Sequence, residues 1–222
     1  MKTALIIPTF NEIDGVRVVM PMVDRAWCDE ILVVDGGSTD GTVEWLLEND
    51  WQVLIQKEKG LHNAYREAHE ATSSDVIITF SPDGNSQASR IPALINEMKK
   101  GYDMVIVSRY LNGAKSFDDD FLTSFGNPLF TFMINRLFGG TYTDSLVIFR
   151  AYKRSVLGRL RIDARHMTYE AQISMRAAKA GLQIGEIPGD EPKRIGGIRK
   201  MSPFGTGFQI LREIGRNLKW QP

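Results

Sequence analysis

Short apolar runs alternate along this chain with longer stretches whose apolar positions recur at helical spacing. Residues 3–7, 30–35, 51–56, 75–80 and 103–108 read as strands, and 12–26, 41–49, 61–72 and 88–100 as the helices between them. The runs Ile31 to Val34 and Val76 to Ile78 have no polar interruption, which suits strands covered on both faces. A repeating βα order predicts a mostly parallel sheet flanked by helices, an α/β fold in one domain. Gly139 and Gly140 break the alternation and lead into a β-rich segment at 141–149, then a helix at 167–180 and a strand at 182–187.

Two stretches carry apolar residues beyond what this core needs. Phe121 to Phe138 is rich in aromatics, but Thr123, Asn127, Asn135, Arg136 and Pro128 argue against a membrane span. A core helix is the first reading and an interfacial helix the second. In the tail, Phe204, Phe208, Leu211, Ile214 and Leu218 recur at helical spacing with Arg212, Arg216 and Lys219 between them. A helix packed on the domain is expected there ahead of a membrane-surface helix.

Three predicted strands end in polar loops. Asp35 opens into Gly36, Gly37, Ser38, Thr39 and Asp40, where glycines let backbone approach a ligand closely. Pro8 is followed by Thr9, Phe10, Asn11 and Glu12, with Thr9 and Glu12 at capping-box spacing. Phe80 runs into Ser81, Pro82, Asp83, Gly84 and Asn85. Open α/β sheets bind ligands at the carboxyl ends of their strands, so these loops are expected to share one cleft.

Composition narrows the partners. The 222 residues are 43% hydrophobic and 24% charged, as in an ordinary globular domain. Lys+Arg and Asp+Glu balance at 27 each, so no global field draws the chain to nucleic acid. From Lys193 onward Glu213 is the sole acid among seven cations, a tail suited to phosphates or an anionic membrane surface. The single cysteine, Cys28, excludes an internal disulfide framework. Without a signal peptide or a stretch long enough to span, a cytoplasmic location is expected, with peripheral contact at the inner face of the membrane. The histidines His62, His69 and His166 lack the spacing of a metal-binding pair. There is no Gly-rich dinucleotide fingerprint, P-loop or nucleophile elbow.

The segments TFNE at 9–12, VVDGGSTDGT at 33–42, KGLHNA at 59–64, SPDGN at 81–85 and SRY at 108–110 together resemble glycosyltransferase family 2. The similarity is greatest to its dolichyl-phosphate mannose synthase branch. It continues through TDSLVIFRAYKR at 143–154 and KRIGGIRK at 193–200. The resemblance implies a GT-A type, Rossmann-like domain, with a nucleotide-sugar-binding half at 1–110, an acceptor half at 111–200 and a C-terminal amphipathic helix at 201–222. It implies an inverting transfer of a hexose from a GDP- or UDP-sugar to a polyprenyl phosphate. Pro8, Thr9, Asn11, Glu12, Asp35 and Lys59 would then serve the nucleoside side. Asp83 and Asn85 would hold Mg²⁺ or Mn²⁺, hard ions that take oxygen ligands. Ser81 stands where the family carries the first acid of its metal motif, which puts metal affinity in question.

Arg109, after the strand at 103–108, would pair with phosphate oxygens. Arg194 and Lys200 would lie on a loop that closes over the diphosphate. Asp144 is the candidate base, or an acceptor-orienting carboxylate that positions groups such as Arg150. Bland readings stand beside these: helix capping for Asn11 and Glu12, a simple turn for 81–85, a solvated basic loop for 193–200, and a solvated acid run for Asp118, Asp119 and Asp120. The rival functions are transfer to a sugar hydroxyl in surface polysaccharide assembly and nucleotide-sugar binding without turnover.

Overall fold

The computed structural model describes residues 1–164, 168–196 and 202–222, with the side chain of Pro203 left aside. Among the described residues seven strands form one sheet: β1 (Thr3–Thr9), β2 (Glu30–Asp35), β3 (Val53–Ile55), β4 (Val76–Thr79), β5 (Met104–Ser108), β6 (Arg150–Lys153) and β7 (Ile184–Pro188). Their spatial order is β3-β2-β1-β4-β6-β5-β7. Every pairing is parallel except those of β6, which runs antiparallel to both β4 and β5. β4 and β5 are buried along their whole length, as uninterrupted apolar runs require when helices cover both faces.

The helices are α1 (Ile13–Val19), α2 (Thr42–Glu48), α3 (Leu61–Ala71), α4 (Ile91–Met98), α5 (Phe121–Phe138), α6 (Arg154–Leu160), α7 (Tyr169–Lys179) and α8 (Pro203–Asn217). The helix expected over 12–26 stops at Val19 and continues as two 3₁₀ turns, Met20–Met22 and Arg25–Trp27; Pro21 lacks the N–H that an α-helix would use. The chain leaves β1 toward β2 on one side and returns through β3 and α3 to β4 on the other. That reversal opens a crevice at the carboxyl ends of β1 and β4.

The β-rich segment expected at 141–149 is a loop, and the strand follows it as β6, Arg150 to Lys153. Arg150 starts this strand while fully buried, its guanidinium donating to the carbonyls of Val147 and Glu170 and to Ser174 Oγ. Those bonds tie the loop before β6 to the first turn of α7.

α5 departs from the core-helix expectation. Only Thr123, Thr131, Ile134 and Phe138 are buried along it, whereas Phe121 is 91% exposed, Phe125 66% and Phe132 65%. Thr131 faces inward because its hydroxyl bonds Ser145 Oγ at 3.0 Å and accepts the Ser145 N–H at 3.2 Å. Asp120 caps the start by accepting from Thr123 N at 2.8 Å, and Gly139, at φ +77°, ends the helix in the left-handed conformation. α8 packs on the domain through Ile210, Ile214 and Asn217, and leaves Phe204, Phe208, Leu211 and Leu218 outward. No helix among the described residues is long and apolar enough to cross a membrane.

Candidate active site

A cavity of about 830 Å³ opens along the carboxyl edge of the sheet. One end is lined by Pro8 and Thr9 at the close of β1 and Phe10 after it, Gly36 after β2, and Gln56 and Lys59 before α3. Lys59 Nζ lies 5.9 Å from the centre of the Phe10 ring, placing a cation beside an aromatic face. Glu12 also lines this end. These are the residue types a base, ribose and phosphate would meet.

Asp35 does not reach the cavity. It is fully buried, and both carboxylate oxygens are spent on the loop that follows it. Oδ1 accepts from Gly37 N and Ser38 N, each at 2.8 Å, while Oδ2 accepts from Ser38 Oγ at 2.6 Å and Thr9 Oγ1 at 2.9 Å. This corrects two expectations together: Asp35 shapes the loop rather than lining the pocket, and Thr9 bonds Asp35 instead of closing a capping box with Glu12. Asn11, at φ +51°, likewise stitches loop to loop, accepting from Thr39 N at 2.9 Å and donating its own N–H to Ser38 Oγ at 2.8 Å.

Beyond β4, Ser81, Asp83 and Asn85 line the same cavity. Asn85 N donates to Asp83 Oδ1 at 3.2 Å, an Asx turn that aims the loop. The donor set of one carboxylate, one amide oxygen and one hydroxyl is all hard oxygen, and it fits a Mg²⁺- or Mn²⁺-type ion that completes its shell from water and phosphate. Arg194 faces this turn, its Nη1 3.1 Å from Asp83 Oδ2. Lys200, expected beside it, lies outside the described residues.

Arg109 lines the cavity and is held from two sides. Its Nε and Nη2 donate to Asp144 at 2.6 and 3.0 Å, and its Nη1 to Glu191 Oε2 at 3.2 Å. Asp144 is fully buried and does not line the cavity. Burial pushes its carboxyl up, but the Arg109 guanidinium outweighs burial and holds it below the usual carboxylate range. Contrary to the expected role as a base or a partner of Arg150, Asp144 has no free face from which to take a proton, and it positions Arg109.

Several cavity residues lie outside the set singled out from sequence. Asp118 and Asp119, read there as a solvated acid run, line the wall; Asp119 accepts from Tyr110 Oη at 2.6 Å and from Asn127 Nδ2 at 3.2 Å. Glu170, in the first turn of α7, is buried at the cavity wall, and burial pushes its carboxyl up to about 7. Among the described residues its Oε1 has no hydrogen-bond partner. A lone Glu opening a helix carries no signal that would have marked it beforehand.

Another part of the cavity is apolar. Leu122, Phe125 and Leu129 of α5 face Phe204, Phe208 and Leu211 of α8 across an apolar groove continuous with the polar cleft.

A mostly parallel sheet whose strand ends present a polar pocket, an acidic turn and a buried guanidinium is the arrangement expected of a glycosyltransferase of the GT-A type. The sequence profile described as Glycosyl transferase family 2 matches residues 4–161, and the chain belongs to that family. It is 28% identical to a dolichyl-phosphate hexose transferase of Haloferax volcanii, over 95% of this chain and 91% of that one. Identity is also 28% to an undecaprenyl-phosphate mannosyltransferase of Micrococcus luteus, over 100% and 97%. Among solved structures, glucosyl-3-phosphoglycerate synthase from Mycobacterium tuberculosis, in complex with Mn²⁺, UDP and phosphoglyceric acid, superposes with a TM-score of 0.75 at 21% identity, covering 100% of this chain and 79% of that one.

Proposed function

We propose that this protein transfers a hexose from a GDP- or UDP-sugar to a polyprenyl phosphate, with inversion, at the cytoplasmic face of a membrane. The observation that carries the reading is the continuity of one cavity from a polar strand-end cleft to an apolar groove between α5 and α8. A nucleotide sugar matches the first part and an isoprenoid chain the second. Exposed Phe121, Phe132 and Leu218 extend the apolar surface, and Arg136, Arg212 and Lys219 are exposed on the same two helices or just beyond them, a composition that suits an anionic bilayer surface.

Phe10, Gly36 and Gln56 bound the base, and Lys59 sits near enough to serve a phosphate. Asp83, with Asn85 and Ser81, would hold a divalent ion, which supplies charge neutralisation for the departing diphosphate when bound. An acceptor phosphate oxygen attacks the anomeric carbon as the bond to the diphosphate breaks on the opposite side, and the nucleoside diphosphate leaves. The nucleophile is already ionised, so no base is required, in keeping with the locked state of Asp144. Arg109, kept rigid by two carboxylates, presents a fixed guanidinium at the cleft wall.

A sugar-hydroxyl acceptor is the second reading, and Glu170 favours it, since a carboxyl pushed to about 7 suits a general base. Incubation with labelled GDP- and UDP-hexoses, Mn²⁺ and a polyprenyl phosphate tests the choice. Label extracted into organic solvent, lost with Asp83→Ala and kept within about threefold with Glu170→Gln, supports the lipid acceptor; a loss of roughly a hundredfold with Glu170→Gln supports the hydroxyl.

A further inference from the structure

Asp83 is the carboxylate best placed for a divalent ion, yet it already holds a cation. Arg194 Nη1 stands 3.1 Å from Asp83 Oδ2, and its Nε lies 3.8 Å from Asp118 Oδ2. The Arg194 backbone N–H donates to Asp118 Oδ1 at 3.2 Å. Two carboxylates distant in sequence, one on the turn after β4 and one on the loop before α5, thus converge on a single guanidinium.

The segment carrying Arg194 is clamped onto the turn. Ile195 N donates to the Asp83 carbonyl at 2.8 Å. The Ile195 side chain covers Gly84, at φ +86°, where a Cβ would come within 2.6 Å of Ile195 Cγ1. At Gly196, φ +67°, a Cβ would lie 2.6 Å from Asp14 Cβ. Only glycine meets both the backbone conformation and the clearance at these positions, so backbone packing holds the segment carrying Arg194 against the turn that carries Asp83.

Resting on the nucleotide-sugar reading above, we propose that Arg194 is the resident counter-ion of the metal seat, and that a divalent ion displaces it and inherits both Asp83 and Asp118. Asp118 then makes good the acid missing at Ser81. Like charges cannot share one carboxylate pair at this range, and the pair is screened little, since the side chains of Asp83 and Arg194 are 7% and 20% exposed. The displaced guanidinium stays beside the place where diphosphate charge gathers, so loading the ion and freeing a second cation become one event.

The test is Mn²⁺ affinity without nucleotide, followed by the electron paramagnetic resonance signal of free Mn²⁺ in the wild type, Arg194→Gln, Arg194→Lys and the double variant Arg194→Gln/Asp118→Asn. Arg194→Gln is expected to bind Mn²⁺ about tenfold more tightly than the wild type, equivalent to about 1.4 kcal/mol. Arg194→Lys keeps the charge and stays near wild type, and the double variant loses the gain. Equal or weaker binding by Arg194→Gln overturns the exchange, and a double variant as tight as Arg194→Gln overturns the role of Asp118. If no variant binds Mn²⁺ with or without GDP or UDP, the metal role of Asp83 falls as well. Titration of GDP and UDP in EDTA, with thermal melts of each variant, separates that result from failure of the nucleotide pocket or of the fold.

Discussion

Replacing Phe121, Phe125, Phe204 and Phe208 with Ser removes apolar area that the fold leaves in water. These side chains belong to residues that are 91, 66, 80 and 71% exposed. Burying one Phe fully is worth about 1.5–3 kcal/mol, so even at the low end and with partial exposure the four contribute roughly 4 kcal/mol to partitioning into a membrane surface. That is on the order of a thousandfold in vesicle affinity. Little folding stability is at stake, because none of the four is buried in the free protein, and Phe and Ser have comparable helix propensity. Co-sedimentation with vesicles containing anionic lipid, at 0.15 M salt or thereabouts where surface charge is already screened, measures the difference. The wild type should pellet with the vesicles and the quadruple variant remain in the supernatant, with unchanged melting temperatures. Equal pelleting of both would refute the membrane-facing role of α5 and α8. Complete release of the wild type by high salt would show that charge alone does the binding.

The buried carboxyl of Glu170 makes stability depend on pH. Burial raises it from 4.5 to about 7, so the unfolded carboxyl ionises first and the folded state loses up to ~3 kcal/mol relative to Glu170→Gln as pH climbs through that window. Urea unfolding at pH 4.5 and pH 8 should show the wild type falling against the variant; parallel behaviour contradicts the assignment. Asp144→Asn strips Arg109 of its closest counter-charge in a buried setting and should cost about 3 kcal/mol, less than that when combined with Arg109→Leu, as read from denaturation midpoints. An additive double variant would mean that the two side chains do not depend on each other. Thr9→Val removes one of four hydrogen bonds to buried Asp35 and should lower stability by about 1–3 kcal/mol while weakening nucleotide binding, measured by calorimetry; unchanged nucleotide affinity would detach this loop from the site.

Much of the α/β frame could be read from the chain because buried parallel strands announce themselves as unbroken apolar runs, and β2, β4 and β5 do so. β6 is hidden because it begins with Arg150, a charge whose burial depends on carbonyls of Val147 and Glu170 that no local pattern reveals. The strand-end loops line one cavity, as their composition suggests, but the direction of individual acids was not legible. An acid at the end of a strand serves a ligand or its own loop with equal chemical ease, and Asp35 took the second course, while Asp144, in the loop before β6, is spent on Arg109. The opposite happened at 118–120, where an acid run that looks solvated is folded against the cleft by Tyr110, Asn127 and Arg194. On α5, aromatic content alone could not tell core from surface; the decision rests with Thr131, whose partner Ser145 turns the polar side inward.

The most direct measurement is transfer of labelled hexose from its nucleotide to polyprenyl phosphate in the presence of Mn²⁺, with the wild type and Asp83→Ala side by side. The account predicts label in the lipid extract for at least one GDP- or UDP-hexose, dependent on the divalent ion and reduced at least about a hundredfold by the substitution. Binding of no nucleotide sugar, or transfer that proceeds undiminished in Asp83→Ala, would contradict it.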